Sequence, residues 1–329
     1  NAVERFELAQ AALVLSASLQ AYAPELRRLN AGSAPADFRR QYPSVQRLVS
    51  VPAKLGEAIA AARPKLRRFA ARATAHLREA LTREERLEVL RGAQLLLPRD
   101  VRVAEPLARY ELFSANDTLI DAVVGIRYGD TEARLPRGKA AKKLYGVANT
   151  YIDWNLPDYV LQTSYEDLQA AFEALAPRAG ETLVDLGSGY GRVGFFLAVR
   201  HPEVKFVGYE IVKERVVESR RIAEALGVSD RVRFEEADMA APEFRPERAA
   251  LYFAYDPMNE RHYAKLLADL EAVAREVPYR LAAFEGRGRF LATLRSVPWL
   301  RPVKELPSVR PLPFPILVLE AVSSGAAAR

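Results

Sequence analysis

The sequence predicts a mainly α-helical segment over residues 1–150 followed by an α/β domain over residues 151–329. That domain is expected to carry a seven-strand, mainly parallel sheet with an antiparallel last strand. Three observations predict this. Residues 3 to about 95 repeat apolar side chains at helical spacing, as in Phe6, Leu8, Ala11, Ala12 and Leu15. From about residue 158, helix-like and strand-like segments alternate, the pattern of parallel strands joined by crossover helices. The chain then ends on two strand-like runs, Trp299 to Glu305 and Pro315 to Val322, with no room for a helix between them. Such a pair can join one edge of the sheet as an antiparallel excursion.

Each element has its own grounds. The first segment is dominated by Ala, Leu, Arg and Glu, all good helix formers. Breaks near Asn30–Ser33, Pro43, Val51-Pro52 and Arg63-Pro64 divide it into about three to five helices. Residues 97–150 are punctuated by proline and glycine, with a helix expected near 105–125 and a basic loop or arm near 134–144. Helices are expected over 160–177, 191–200, 212–226, 259–275 and 288–296. The strands between them are Thr182–Leu186, Val204–Glu210, Arg231–Phe234, Ala250–Ala254 and Arg280–Phe284.

The composition narrows the chemistry. Half of the 329 residues are hydrophobic and 27% are charged, the balance of a globular protein. There is no cysteine, so disulfides, thiolate metal sites and cysteine nucleophiles are excluded. His76, His201 and His262 are far apart and show no ligand spacing, so no metal is expected. No G-x-S-x-G turn is present, which removes that form of serine hydrolase. No run of about 18 uncharged apolar residues suggests a membrane span. The apolar stretch from Ala11 to Ala23 lacks a positive flank, so it reads as a helix rather than a leader. Absence of cysteine and of a targeting signal points to a cytoplasmic protein. The first residue is Asn, as expected if the chain begins inside a longer product.

The net charge of +6 is unevenly spread. Residues 1–150 hold 25 Lys and Arg against 16 Asp and Glu, and the remainder holds 23 against 26. The basic runs are Arg63, Lys65, Arg67, Arg68 and Arg72, and then Arg134, Arg137, Lys139, Lys142 and Lys143. Such runs either attract nucleic acid or an acidic protein surface, or simply solvate a helix face. Phe69 is the one aromatic within the first run, too few for a base-stacking platform.

The strongest chemical signal is Val184-Asp185-Leu186-Gly187-Ser188-Gly189-Tyr190-Gly191-Arg192-Val193-Gly194, ending the first strand and opening a helix. Glycines there let the backbone turn sharply and approach a ligand. Glu210 ends the second strand, where a carboxylate can accept from both hydroxyls of a ribose. Asp238 follows the third strand, where an acid can accept from an adenine amino group. Two cofactors compete. Gly189-x-Gly191-x-x-Gly194 with Glu210 fits a dinucleotide fingerprint. The overlapping Asp185-x-Gly187-x-Gly189-x-Gly191 instead puts an acid before the first glycine. That acid suits a cationic amino-acid end and opposes a pyrophosphate. With Asp238 and the strand–strand ending, this favours S-adenosylmethionine over NAD.

On these residues the chain resembles the class I, seven-strand S-adenosylmethionine-dependent methyltransferases, with a Rossmann-like sheet, over about residues 155–323. Within that superfamily, Gln162-Thr163-Ser164-Tyr165-Glu166 followed by the glycine loop is similar to the non-SET, seven-strand histone-lysine methyltransferases. Gly189-Tyr190-Gly191-Arg192 is similar to small bacterial and mitochondrial seven-strand lysine methyltransferases. The resemblance implies that Gly187, Ser188, Gly189 and Gly191 line the methionine portion, that Glu210 holds the ribose, and that Asp238 and Met239 flank the adenine. It implies that Thr163 or Ser164 closes over the cofactor, against the alternative of a helix N-cap. S-adenosylhomocysteine would be the product.

The acceptor is expected near the end of the fourth strand, at Phe253-Ala254-Tyr255-Asp256-Pro257-Met258-Asn259. Amino-methylating members often read Asn/Asp-Pro-Pro-aromatic here. Asp256-Pro257 fits and Met258-Asn259 departs, which counts against nucleobase or glutamine methylation. Asp256 could orient an amine and offset its charge, or the pair could merely shape a turn. Tyr255, Tyr252 and Tyr159, with Pro257, could wall the acceptor. Tyr151 and Trp154 suit a lid or a linker anchor. The expected function is N-methylation of a protein lysine, with the N-terminal part recruiting or positioning substrate. The alternatives are an RNA methyltransferase whose basic part contacts phosphates, and a cofactor-binding module without turnover.

Overall fold

The structure is a computed structural model that describes residues 1–31, 43–97, 106–133, 135, 162–285, 289–308 and 315–321. Tyr151, Trp154, Tyr159 and the basic run from Arg134 to Lys143 lie outside the described residues. The chain separates into two compact units, Asn1–Val123 and Val124–Arg329.

The first unit is helical. Helices α1 (Ala2–Ala31) and α2 (Pro43–Ala80) pack along one another, followed by α3 (Arg83–Gly92) and by α4 (Pro106–Val124), which reaches the end of the unit. The stretch Ala11–Ala23 lies inside α1. The breaks expected at Pro52 and Pro64 are corrected: α2 runs unbroken through both. Each proline removes one intrahelical bond at a cost of about 3 kcal/mol. Packing along α1 offsets that loss, and exposed Pro64 sends its ring to solvent. Thr82 starts α3 with a reciprocal capping box with Glu85. Buried Gln10 donates to Leu95 O and to Asn116 Oδ1, each at 3.0 Å, so these two amides are paired within the core. Arg86 donates to the carbonyls of Ala122, Val123 and Arg78, tying the ends of α2 and α4 together.

The second unit opens with the short helix α5 (Tyr128–Glu132) and α6 (Tyr165–Leu175). It continues β1 (Thr182–Leu186), α7 (Arg192–Arg200), β2 (Lys205–Glu210), α8 (Lys213–Leu226), β3 (Val232–Glu236) and β4 (Leu251–Tyr255). After a single 3₁₀ turn come α9 (Tyr263–Ala274), β5 (Arg280–Phe284), α10 (Phe290–Ser296), β6 (Leu300–Leu306) and β7 (Ile316–Ala321).

The seven strands lie in the order β3-β2-β1-β4-β5-β7-β6. Strands β1 to β5 pair in parallel, and β7 inserts antiparallel between β5 and β6. The β6–β7 register slips between Pro302 and Lys304. Central strands are buried on both faces, which is why β1, β4 and β5 read as nearly continuous apolar runs. One face packs Leu266, Leu270 and Phe290 of α9 and α10 on Val184, Tyr252 and Leu281. The other face carries an aromatic cluster in which Phe195 and Phe206 each lie 5.4 Å from Phe234. The strand order reverses between β1 and β4, so the carboxyl ends of these strands open a crevice, the usual ligand position in such sheets.

Candidate active site

A cavity of about 470 Å³ occupies that crevice, a size suited to a cofactor. Its floor is the turn after β1. Gly187 and Ser188 donate their N–H groups to Tyr209 O at 3.0 and 2.8 Å, which clamps the loop to the end of β2. Gly187 has φ +98, and a Cβ there would lie 3.3 Å from Pro257 Cα. The turn therefore requires glycine on conformational grounds as well as on space.

The acids cluster here. Glu210 is 7% exposed and accepts from Gly189 N–H and Val212 N–H, both at 2.9 Å. A carboxylate offers about four acceptor directions, so capacity for two hydroxyl donors remains. Asp185 is buried at the end of β1, and its Oδ2 has no hydrogen-bond partner among the described residues. The hydroxyl of Ser188 is likewise buried and unpartnered among them. Burial, and then the nearby Glu210 charge, pushes the Asp185 carboxyl well above the usual carboxylate range. Two orphaned buried acceptors in one cavity fit a bound ammonium, which would supply their donors and restore the Asp185 charge. This set of acceptors suits an α-amino acid joined to a ribose. Among the described residues no group of three or more His, Asp or Glu could hold a metal ion.

The acceptor side is built on β4. Phe253 and Tyr255 alternate toward the cavity, and Asp256, Pro257, Met258 and Asn259 follow them along its wall. Asp256 is 5% exposed and has φ +38, a left-handed backbone that strains a non-glycine residue.

The cavity brings together Thr163, Asp185, Gly187, Ser188, Gly189, Glu210, Tyr255, Asp256 and Pro257 of the expected site. Several others stand apart from it. Ser164 is at the N-cap of α6, with its hydroxyl donating to Glu166 at 2.9 Å. Gly191 packs under the aromatic cluster, where a Cβ would come within 2.4 Å of Phe234. Asp238 is exposed and accepts from Ala240 N–H, while Met239 packs in the core. Tyr252 points to the opposite face of β4, where its hydroxyl donates to Glu247 O at 2.6 Å and its ring meets Tyr279. The strand period of two explains this, because Tyr252 and Tyr255 cannot share a face.

Several lining residues escaped the sequence reading, among them Gln162, Arg192 and Arg215. Gln162 lies against Gly189. Arg192 is 2% exposed, donates to Thr163 O at 2.7 Å and covers the Tyr165 ring. Arg215 pairs with Glu132 at 2.9 Å. Burial opposes its charge, but the carboxylates of Glu210 and Glu132 outweigh that and hold its pKa above the ordinary value. An arginine directly after the glycines was the available signal for Arg192; nothing local marked Arg215.

Residues 177–287 match the family described as a methyltransferase domain. A release factor glutamine methyltransferase from Chlorobaculum tepidum is 32% identical over 87 residues, which is 26% of this chain and 29% of that protein. The chain thus spans less than a third of the length of that curated relative. Among solved structures, TrmN from Thermus thermophilus is 23% identical, covers 47% of this chain and 48% of its own, and has a TM-score of 0.41. An RNA methyltransferase from Salinibacter ruber in complex with S-adenosyl-L-homocysteine is 21% identical, covering 49% of this chain and 94% of its own, at a TM-score of 0.38. With a matched methyltransferase family laid over the glycine loop and a seven-strand sheet whose last strand runs antiparallel, the C-terminal unit is a class I S-adenosylmethionine-dependent methyltransferase domain.

Proposed function

We propose that the chain is an S-adenosylmethionine-dependent methyltransferase acting on a protein side chain, the amine of a lysine, in the cytoplasm. The observation that carries the cofactor assignment is the convergence of Asp185 Oδ2, Ser188 Oγ and the Glu210 carboxylate on one cavity. When bound, S-adenosylmethionine supplies a methyl group activated by a sulfonium. Asp185 and Ser188 take its ammonium, and Glu210 takes its ribose hydroxyls. Asp238 and Met239 remain our proposed adenine flank.

On the acceptor side, Asp256 accepts an N–H of the incoming amine and orients its lone pair along the line of transfer. The amine arrives neutral, and the proton it sheds after transfer leaves to Asp256 or to water. Tyr255 lines the approach and, with Tyr263 of the same cavity, gives a lysine chain an aromatic wall. Protein as the substrate class is supported by the resemblance to lysine methyltransferases and by the name of the curated relative, a release factor glutamine methyltransferase. A second reading, RNA, is favoured by Lys65, Arg67, Arg68 and Arg72, which are exposed on α2.

Calorimetric titration with S-adenosylhomocysteine tests the cofactor. Wild type should bind in the micromolar range, about −8 kcal/mol, and Glu210→Ala should weaken binding about tenfold or more. Absence of binding would overturn the assignment. Transfer of labelled methyl to lysine peptides against RNA then separates the two acceptors. Binding without transfer to either would leave a cofactor-binding module.

A further inference from the structure

Next to the cavity lies a cluster of ionisable groups that the reaction does not use. Tyr190 stands in the glycine loop between Gly189 and Gly191, and its hydroxyl donates to Glu132 Oε1 at 2.6 Å. Arg215, from the first turn of α8, donates through Nε to the same oxygen at 2.9 Å. Its guanidinium lies 5.7 Å from the Tyr190 ring centre. The side chain of Arg215 is 9% exposed and that of Glu132 is 17% exposed, so the pair is largely out of water. Neighbouring Arg192 is tied to the same helix α5 by a 3.0 Å bond to the Tyr128 hydroxyl. Helix α5 lies outside the residues matched to the methyltransferase family.

Arg215 lines the same cavity as Glu210. It stands within reach of the Glu210 field, yet among the described residues its ion pair is with Glu132 and not with Glu210. A buried cation keeps whichever carboxylate is available. Were Glu132 neutral, Glu210, whose charge already acts on Arg215 across the shared cavity, would be the carboxylate left to it, and it is the one assigned to the ribose.

We infer that Glu132 is a positioning residue that holds Arg215 away from Glu210 and so keeps the cofactor carboxylate open. The inference rests on the cofactor assignment above. Helix α5, which precedes the family-matched core, thereby sets the affinity of a cavity to which it contributes no lining residue. Its contribution is a counter-charge. It is distinct from bracing the glycine loop, which the Tyr190 hydroxyl could do alone.

The two roles separate in a set of full-length variants titrated with S-adenosylhomocysteine. Glu132→Gln keeps the size and loses the charge, and should raise Kd about tenfold. Adding Arg215→Gln to it removes the competitor, and the double variant should return to within about threefold of wild type. Tyr190→Phe removes the hydroxyl and leaves the ion pair, and should likewise stay within about threefold. An unchanged Kd in Glu132→Gln overturns the inference. A double variant as weak as the single one, or a tenfold loss in Tyr190→Phe, also overturns it, because loop bracing would then be the whole effect. Should Glu132→Gln fail to fold, Tyr190→Phe still decides. Wild type that does not bind would overturn the cofactor assignment itself, and this inference with it.

Discussion

Asp185 shows how a single side chain can cost the fold stability and serve the site. Its carboxyl titrates well above its ordinary value of 3.8 in the folded chain, from burial first and Glu210 second. As pH rises past the ordinary value, the unfolded chain gives up this proton while the folded chain keeps it. The folded state then binds more protons, so this group's contribution to stability falls as pH rises from about 4 toward the raised value. Asp185→Asn removes the penalty. It should melt a few degrees higher than wild type at neutral pH, with the gap closing as pH is lowered, and should lose S-adenosylhomocysteine binding in calorimetry. A variant that melts lower and binds normally would contradict this. Asp256 plays a different part. Asp256→Ala should leave cofactor affinity intact and lower turnover by about a hundredfold, as read from the rate of S-adenosylhomocysteine release. The two acids were legible in the sequence because Asp185 stands near the end of a strand two residues before Gly187, and Asp256 follows a strand directly before Pro257. Arg215 was not, since its partner Glu132 stands 83 residues away and only the fold brings them together.

Among the elements, the turn from β1 into α7 carries the tightest constraint. Gly191 has φ +80, and a Cβ there would sit 2.4 Å from Phe234 and 3.0 Å from Phe195. Gly191→Ala therefore combines backbone strain with overpacking of a ring cluster and should cost about 2–4 kcal/mol, measured by urea unfolding. In the other unit, Thr82→Ala removes the hydroxyl that accepts from Glu85 N–H in the capping box at the start of α3, while the bond from its own backbone N–H to Glu85 stays possible. About 1 kcal/mol should be lost there, visible as a lower melting point without any change in cofactor affinity. The strands and the helices of the α/β part were legible because their periods differ and glycine marks their joints. Helix α2 was less so. Its prolines are helix breakers by local chemistry, and only packing along α1 lets the helix continue past them. The face on which Tyr252 lies follows from the strand period once the register of β4 is fixed by β1 and β5.

On the scale of the whole molecule, charge and chemistry are divided. The basic excess falls in residues 1–150, whereas the cavity acids lie in the second unit. If the basic helical unit recruits RNA, binding should weaken steeply between about 50 and 200 mM salt, with a slope set by the phosphates contacted. On our preferred reading, RNA binding stays weak at all salt concentrations, and replacing Lys65, Arg68 and Arg72 by Gln raises KM for a protein acceptor while leaving kcat unchanged. Filter binding and initial-rate measurements distinguish the two.

The borders of the sheet have a consequence of another kind. At one border, β6 presents Arg301, Pro302, Lys304 and Glu305 to solvent, and its register slips at Pro302. At the other, β3 exposes Arg233 and Glu236 beside half-buried Glu235. An incoming strand from a second molecule would meet a missing donor and an irregular ladder at β6, and alternating charge at β3. Both borders therefore discourage edge-to-edge aggregation, so a large mixed sheet can stay open-ended without recruiting strands from its neighbours.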